Sequence, residues 1–224
     1  MNRTTINGVV YGDSLAGYGV ADVDISETLA ARLQFRRPTD TWATESIGSL
    51  MLANANTSFN SVVNPHYNST PGITNLVIIW SVLLGDCNDT SDTDLQIFDR
   101  LVTLVNTAKS YGWKVAVTTV AATTEYNNPG NVPYRRPTRI SVNNLVLSGD
   151  GGTRHRGAGA EYVIDVASIS GLGQTDVPND PPPGGTLISS DGIHLMAAGQ
   201  DAVSVLANNV LNTITGYPLG WLSF

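Results

Sequence analysis

Four short stretches of this sequence carry residue types that can do chemistry. Gly12-Asp13-Ser14-Leu15 places a serine hydroxyl in turn-forming sequence near the N-terminus, and Asp191-Gly192-Ile193-His194 places a carboxylate three residues before an imidazole far downstream. In a tight turn that spacing lets the aspartate accept from Nδ1 and leaves Nε2 free to take a proton from a serine, the logic of nucleophilic acyl transfer. Asn88-Asp89 offers a side-chain amide that can donate to a developing oxyanion. Gly48, the only glycine between Gly19 and Gly72, can offer a backbone N–H with no Cβ in the way. Taken one at a time, each stretch also has an ordinary explanation: Gly-Asp-Ser is common turn sequence, an aspartate before a helix is a common N-cap, and Asn-Asp after a strand is a common Asx turn.

Whether these stretches meet depends on the elements that carry them. Short runs rich in Val, Ile and Thr alternate with longer helical patterns, which predicts βαβ units around a parallel sheet. Strands are expected near Gly8–Tyr11, Thr39–Thr44, Asn75–Leu84, Lys114–Ala121 and Tyr162–Val166, the third nearly continuously apolar as a strand buried on both faces would be. Helices are expected over Ser26–Phe35 with Ser26 as N-cap, over Asp94–Ser110 behind a Thr93/Gln96 capping box and closed by Gly112, over Arg136–Leu147 and over Met196–Ile214. Ile47–Val63 is mixed in character. The expected architecture is one doubly wound, flavodoxin-like α/β/α domain over residues 1–224 with a five-stranded parallel sheet. All four stretches then face one sheet edge, where such folds hold their ligand crevice.

The order Ser, Gly, Asn, Asp-x-x-His resembles the GDSL or SGNH hydrolase family of esterases and lipases, whose blocks are an N-terminal Gly-Asp-Ser, a lone Gly, a Gly-x-Asn-Asp and a C-terminal Asp-x-x-His. The likeness runs from residue 8 to about residue 200. It implies Ser14 as nucleophile, His194 as base and Asp191 as its orienter. The Ser14 and Gly48 N–H groups and the Asn88 amide would form the oxyanion hole, and no metal or cofactor is required. It further implies carboxylic ester substrates, with short acyl or O-acetyl groups, including those on carbohydrate, favoured by a polar loop before Asp191. The same scaffold also serves lipases and thioesterases, and a catalytically idle glycan-binding domain is the alternative from another class. This sequence departs from the pattern at Gly85-Asp86-Cys87-Asn88-Asp89, where Asn follows Gly by three residues and not two. Either the turn holds one extra residue or Asp86 takes the glycine position.

Other chemistries fit less well. No Gly-x-Ser-x-Gly elbow and no Ser-x-x-Lys dyad exists in the sequence. Asp86, Asn88, Asp89, Asp92 and Asp94 lack the glycine and terminal glutamate of a calcium loop. A net charge of −7 argues against a nucleic-acid partner, and the single Cys87, expected to be a small buried hydrophobe, excludes a disulfide framework. The longest apolar run, Leu76–Leu84, is strand-sized and interrupted by Ser81, so no integral membrane span is expected. Met1 to Ser14 hold no apolar h-region, so no secretory signal is expected within these residues. His66 and His155 read as surface residues. Five of the twelve basic residues lie between Arg135 and Arg156, as a solvated face or an anion-holding patch. Ser170–Ser190, with four prolines and four glycines, reads as a loop bearing on specificity, and Trp42, Tyr126 and Tyr134 as stacking surface for a sugar.

Overall fold

In the computed structural model, residues 4–17, 25–89, 92–123, 136–173, 187–189 and 191–215 are described, with 25, 88, 89, 136 and 215 described for their backbone only. Thr5–Gly12 (β1), Thr41–Ser46 (β2), Ile73–Trp80 (β3), Lys114–Thr118 (β4) and Tyr162–Ile164 (β5) form one parallel sheet in the order β2-β1-β3-β4-β5. This is the doubly wound order expected from the alternating pattern. Between them run Leu29–Arg36 (α1), Leu52–Val62 (α2), Leu83–Asp89 (α3), Asp94–Ser110 (α4), Arg136–Ser148 (α5) and Ala197–Thr215 (α6). Helix α1 packs with α6 on one side of the sheet, while α2, α4 and α5 pack together on the other. Val9, Val10, Leu76, Val77, Ile78, Val115, Ala116 and Val117 are fully enclosed between these layers, which is why β3 reads as an uninterrupted apolar run.

Register decides where the loops leave the sheet. Gly12 stands opposite both Ser46 and Trp80, so β1, β2 and β3 end level with one another. Gly12 is required there because an added Cβ would lie 2.0 Å from the Trp80 carbonyl oxygen. The strand order reverses at β1, placing the loops after β1 and β3 at the topological switch point where doubly wound sheets open a crevice.

Several boundaries differ from expectation, each for a physical reason. β3 stops at Trp80 because Ser81 adopts φ 61°, and Leu83 and Leu84 then bury in α3; a short apolar run does not distinguish strand from helix. Helix α1 begins at Leu29 with Thr28, not Ser26, as N-cap: Thr28 Oγ1 accepts from the Ala31 N–H, while Ile25–Glu27 form a separate 3-10 turn. The mixed segment after β2 contains α2, whose first N–H donors have no local cap; Leu52 N–H donates at 2.7 Å to Asp86 Oδ2, a partner 34 residues away. β4 and β5 are shorter than expected, and the chain beyond β4 is held by Asn143, whose side chain bonds both N–H and C=O of Val120. α4 carries the predicted Thr93/Gln96 capping box over the predicted residues.

One buried ion pair fastens β2's approach to α6. Arg37 and Asp40 are both essentially unexposed, their Nε–Oδ2 distance is 2.5 Å, and Arg37 Nη1 also reaches Asn212 Oδ1 at 2.8 Å. Asp40 Oδ1 in turn accepts from the Ile6 N–H at the start of β1. Asp40→Ala is expected to lower unfolding free energy by roughly 3–5 kcal/mol, since it leaves a buried guanidinium without its anion, whereas Asp40→Asn costs less because an acceptor for Ile6 remains. Urea unfolding of the two variants measures the difference; equal losses would show that the charge contributes nothing.

Candidate active site

The turn after β1 is built around Asp13. Its Oδ1 accepts from the Leu15 N–H at 2.9 Å and its carbonyl from the Ala16 N–H at 3.0 Å, so Ser14 is held at the tip of an Asx turn. The second half of the site is a tight loop before α6. Ile188 and Leu195 form an antiparallel bridge, Ser189 N–H donates to the His194 carbonyl at 2.8 Å, and Gly192 turns the chain at φ 74°. Only glycine meets that left-handed conformation without penalty, so Asp-Gly-Ile-His is a turn by its own composition.

Within that loop the two carboxylate oxygens of Asp191 are divided between tasks. Oδ1 accepts from Ser189 Oγ (2.5 Å), Ile193 N–H (2.8 Å) and His194 N–H (3.0 Å), while Oδ2 lies 2.6 Å from His194 Nδ1. Burial opposes ionisation of Asp191, but the bonds from Ser189, Ile193 and His194 outweigh it and bring the carboxyl down to about 2. An ionised Asp191 fixes the proton of neutral His194 on Nδ1 and turns Nε2 outward as an acceptor. Nε2 lies 2.9 Å from Ser14 Oγ, across a sequence separation of 180 residues. Gln200, in the first turn of α6, adds a second tie by donating from Nε2 to the Leu15 carbonyl at 2.9 Å.

Ser14, His194 and Asp191 are therefore brought into one hydrogen-bonded chain at the carboxyl edge of the sheet. Gly48 lies in the exposed loop leaving β2, beside the nucleophile turn because Ile47 N–H donates to the Gly12 carbonyl at 3.0 Å. A Cβ at Gly48 would meet nothing within 4 Å, so the position opens onto free space. Asn88 is placed differently from expectation. Gly85 to Asp89 form no turn: they are helical, in α3, and Asn88 occupies its last turn, with its side chain outside the described residues. Asp86 stands in for no turn glycine. It is buried, accepting from Leu52 N–H and from Arg100 Nη1 at 3.1 Å, and burial raises its carboxyl despite those partners.

Three residues of this neighbourhood escape a motif-based reading: Ser189 and Gln200, which bond Asp191 and Leu15, and Ser81, whose Oγ donates to Asp13 Oδ1. Only Ser189 had a local signal, two residues before Asp191 in turn sequence. Cys87 is buried as expected and His155 is exposed, but His66 is paired, its Nε2 lying 2.5 Å from Glu45 Oε1. The basic stretch does not form a common patch among its described members. Arg139 is wholly buried, and Arg154 is bound to Asp99 and Asp150. Trp42 is half-buried against Gly8, where a Cβ would come within 2.4 Å of its ring, and lines a groove of about 480 Å³ with Gln34, Thr44 and Ser46. Tyr126, Tyr134 and most of Ser170–Ser190 lie outside the described residues. Among the described residues no helix is long and apolar enough to cross a membrane.

A five-stranded parallel sheet in the order 2-1-3-4-5 with helices on both faces defines the doubly wound α/β class, the class to which the fold of the GDSL lipolytic proteins belongs. The fold comparison bears this out. A member of the lipolytic G-D-S-L family from Veillonella parvula superposes with a TM-score of 0.64 at 12% identity, covering 93% of this chain and 99% of its own. A psychrotrophic esterase from Pseudoalteromonas gives 0.58 at 12% identity, covering 93% and 98%. A family 3 carbohydrate esterase of Clostridium thermocellum gives 0.57 at 14% identity, covering 94% and 97%. No family model and no curated protein matches the sequence. The fold of this chain is that of the GDSL hydrolases.

Asp13 is only 4% exposed, and burial pushes its carboxyl up to about 6, against the opposing pull of Ser81, the Leu15 N–H and His194. The folded state thus holds a proton on Asp13 that the unfolded chain has released, so this contribution to stability is present at low pH and is lost as pH rises through about 6. Asp13→Asn keeps an acceptor for Leu15 and Ser81 without the charge. It is expected to be more stable than wild type at pH 8 by up to roughly 3 kcal/mol, with the gap closing by pH 4, as followed by urea unfolding at both pH values. A gap independent of pH would contradict burial as the cause.

Proposed function

We propose that the chain is a serine esterase acting through Ser14, His194 and Asp191. The observation that carries this reading is His194 itself, its Nδ1 2.6 Å from a carboxylate and its Nε2 2.9 Å from a serine hydroxyl at the switch-point edge of the sheet. Ser14 Oγ attacks the ester carbonyl as its proton passes to His194 Nε2. The C–O bond to the leaving alcohol then breaks, and the alcohol takes that proton. Water, deprotonated by His194 in the same way, attacks the acyl-enzyme and releases the acid and Ser14. The tetrahedral oxyanion is held by the Ser14 and Gly48 N–H groups, with Asn88 as the third donor. No metal or cofactor takes part.

The substrates proposed are short acyl esters, with O-acetyl groups on carbohydrate foremost. The polar, Pro- and Gly-rich stretch before Asp191 favours them, and the fold similarity to a carbohydrate esterase is consistent with the choice. Hydrolysis of an ester panel from acetyl to palmitoyl, with acetylated polysaccharides and acyl thioesters included, decides between this reading and a lipase or thioesterase.

A fluorophosphonate probe is expected to label wild type and not Ser14→Ala, and Ser14→Ala should lose several orders of magnitude in kcat on p-nitrophenyl acetate while unfolding like wild type. Absence of labelling and turnover in folded wild type would favour a binding-only domain. Activity should survive a chelator, since the acyl transfer needs only Ser14, His194 and Asp191. Asn88→Ala is expected to reduce kcat by about 10²–10³ with little change in KM. A silent Asn88→Ala would remove it from the oxyanion hole.

A further inference from the structure

Ser81 is the first residue beyond β3 and has no role in the chemistry described above. It holds φ 61°, a left-handed conformation that a residue with a Cβ rarely adopts and that clusters at functional sites. It is also buried, at 7% exposure. Its main chain is well anchored without its side chain: the N–H reaches Thr118 Oγ1 at 3.5 Å, and the carbonyl accepts from the Leu84 N–H at 2.8 Å at the start of α3. Glycine would satisfy that backbone with less strain, so what serine adds at this position is its hydroxyl.

The hydroxyl donates to Asp13 Oδ1, the same oxygen that accepts from Leu15 and closes the turn around Ser14. The two loops that diverge at the switch point are thus joined through one buried carboxylate oxygen. We propose that Ser81 is a positioning residue for Ser14: by holding Asp13 from the β3 side, its hydroxyl sets the direction in which the Ser14 hydroxyl and N–H face His194 and the substrate.

This inference rests on the esterase reading, because positioning has catalytic meaning only if Ser14 is the nucleophile. A buried carboxylate that loses its Ser81 donor is freer to rotate about its side-chain torsions, and the Asx turn moves with it. Displacements of an ångström at a nucleophile cost about 10²-fold, so a smaller shift is expected to cost about 10-fold. Ser81 touches no substrate, so the loss should fall on kcat and not on KM.

The test compares Ser81→Gly and Ser81→Ala with wild type in hydrolysis of p-nitrophenyl acetate, urea unfolding and amide hydrogen exchange at residues 14–16. Ser81→Gly relieves the left-handed backbone while removing the hydroxyl. Its relieved backbone offsets part of the lost hydrogen bond to a buried carboxylate, so it should remain folded and lose less stability than Ser81→Ala, yet show kcat lowered about 10-fold, KM within about twofold, and amide exchange at Leu15 faster by about 10-fold. Ser81→Ala should show the same kinetic loss with reduced stability. A stable Ser81→Gly with wild-type kcat and unchanged exchange overturns the proposal. Should wild type itself neither turn over nor label with fluorophosphonate, the esterase reading fails. The exchange measurement still decides whether Ser81 orders the Ser14 turn.

Discussion

Three neighbouring parallel strands ending level, with the strand order reversing between two of them, is the constraint from which the site follows. With Gly12, Ser46 and Trp80 opposite one another, the chain leaves β1, β2 and β3 at a common height, and the loops after β1 and β3 part toward opposite faces. Asp13 stands there on the β1 side, and donors from both loops offset only part of the cost of burying its carboxylate, the remainder of which raises its pKa. The Asx turn that carries Ser14 is one consequence of that arrangement.

The other half of the site is nearly self-sufficient. Asp191, Ser189, Ile193 and His194 satisfy one another inside a loop of a few residues, so the imidazole is oriented before it meets Ser14. What remains is to bring that loop to the nucleophile, and this falls to the packing of α6 on α1. Arg32 and Arg36 both reach Asp201 Oδ1, at 2.9 and 2.6 Å, while Arg37 contacts Asn212 farther along α6. The Gln200 bond to the Leu15 carbonyl completes the junction at the site itself. The two partly exposed pairs are weak individually, and the enclosed Arg37–Asp40 pair is the firmer anchor.

Buried aspartates thus serve three different ends here. Asp40 pairs with a guanidinium and starts β1, Asp86 caps a helix from a distant helix, and Asp13 joins two loops at the switch point. Of the three only Asp13 bears on the reacting groups, through its field at His194 and its bond to Leu15. Asp191, by contrast, stays partly open to solvent and holds its charge through local bonds.

Features whose partners are close in the chain were legible in the sequence. Alternating Val/Ile-rich runs and helical periods identified a doubly wound sheet, the Thr93/Gln96 box marked α4 to the residue, and Asp191-Gly192-Ile193-His194 announced a turn that aligns a carboxylate with an imidazole. Ser14 stood out by its place after the first strand, though nothing local showed that His194 Nε2 would reach it. Tertiary structure decided whatever depended on a partner far along the chain. Met51 offers no side-chain cap, so α2 begins where Asp86 supplies an acceptor from α3. β3 ends at Trp80, where Ser81 turns out of the sheet toward Asp13, although the apolar run continues to Leu84. Gly85 to Asp89 became helix for the same reason, and the asparagine expected in a loop went with them. A hydrogen bond within a turn is specified by spacing alone, but one that closes across dozens of residues exists only once the sheet has set the register of its strands.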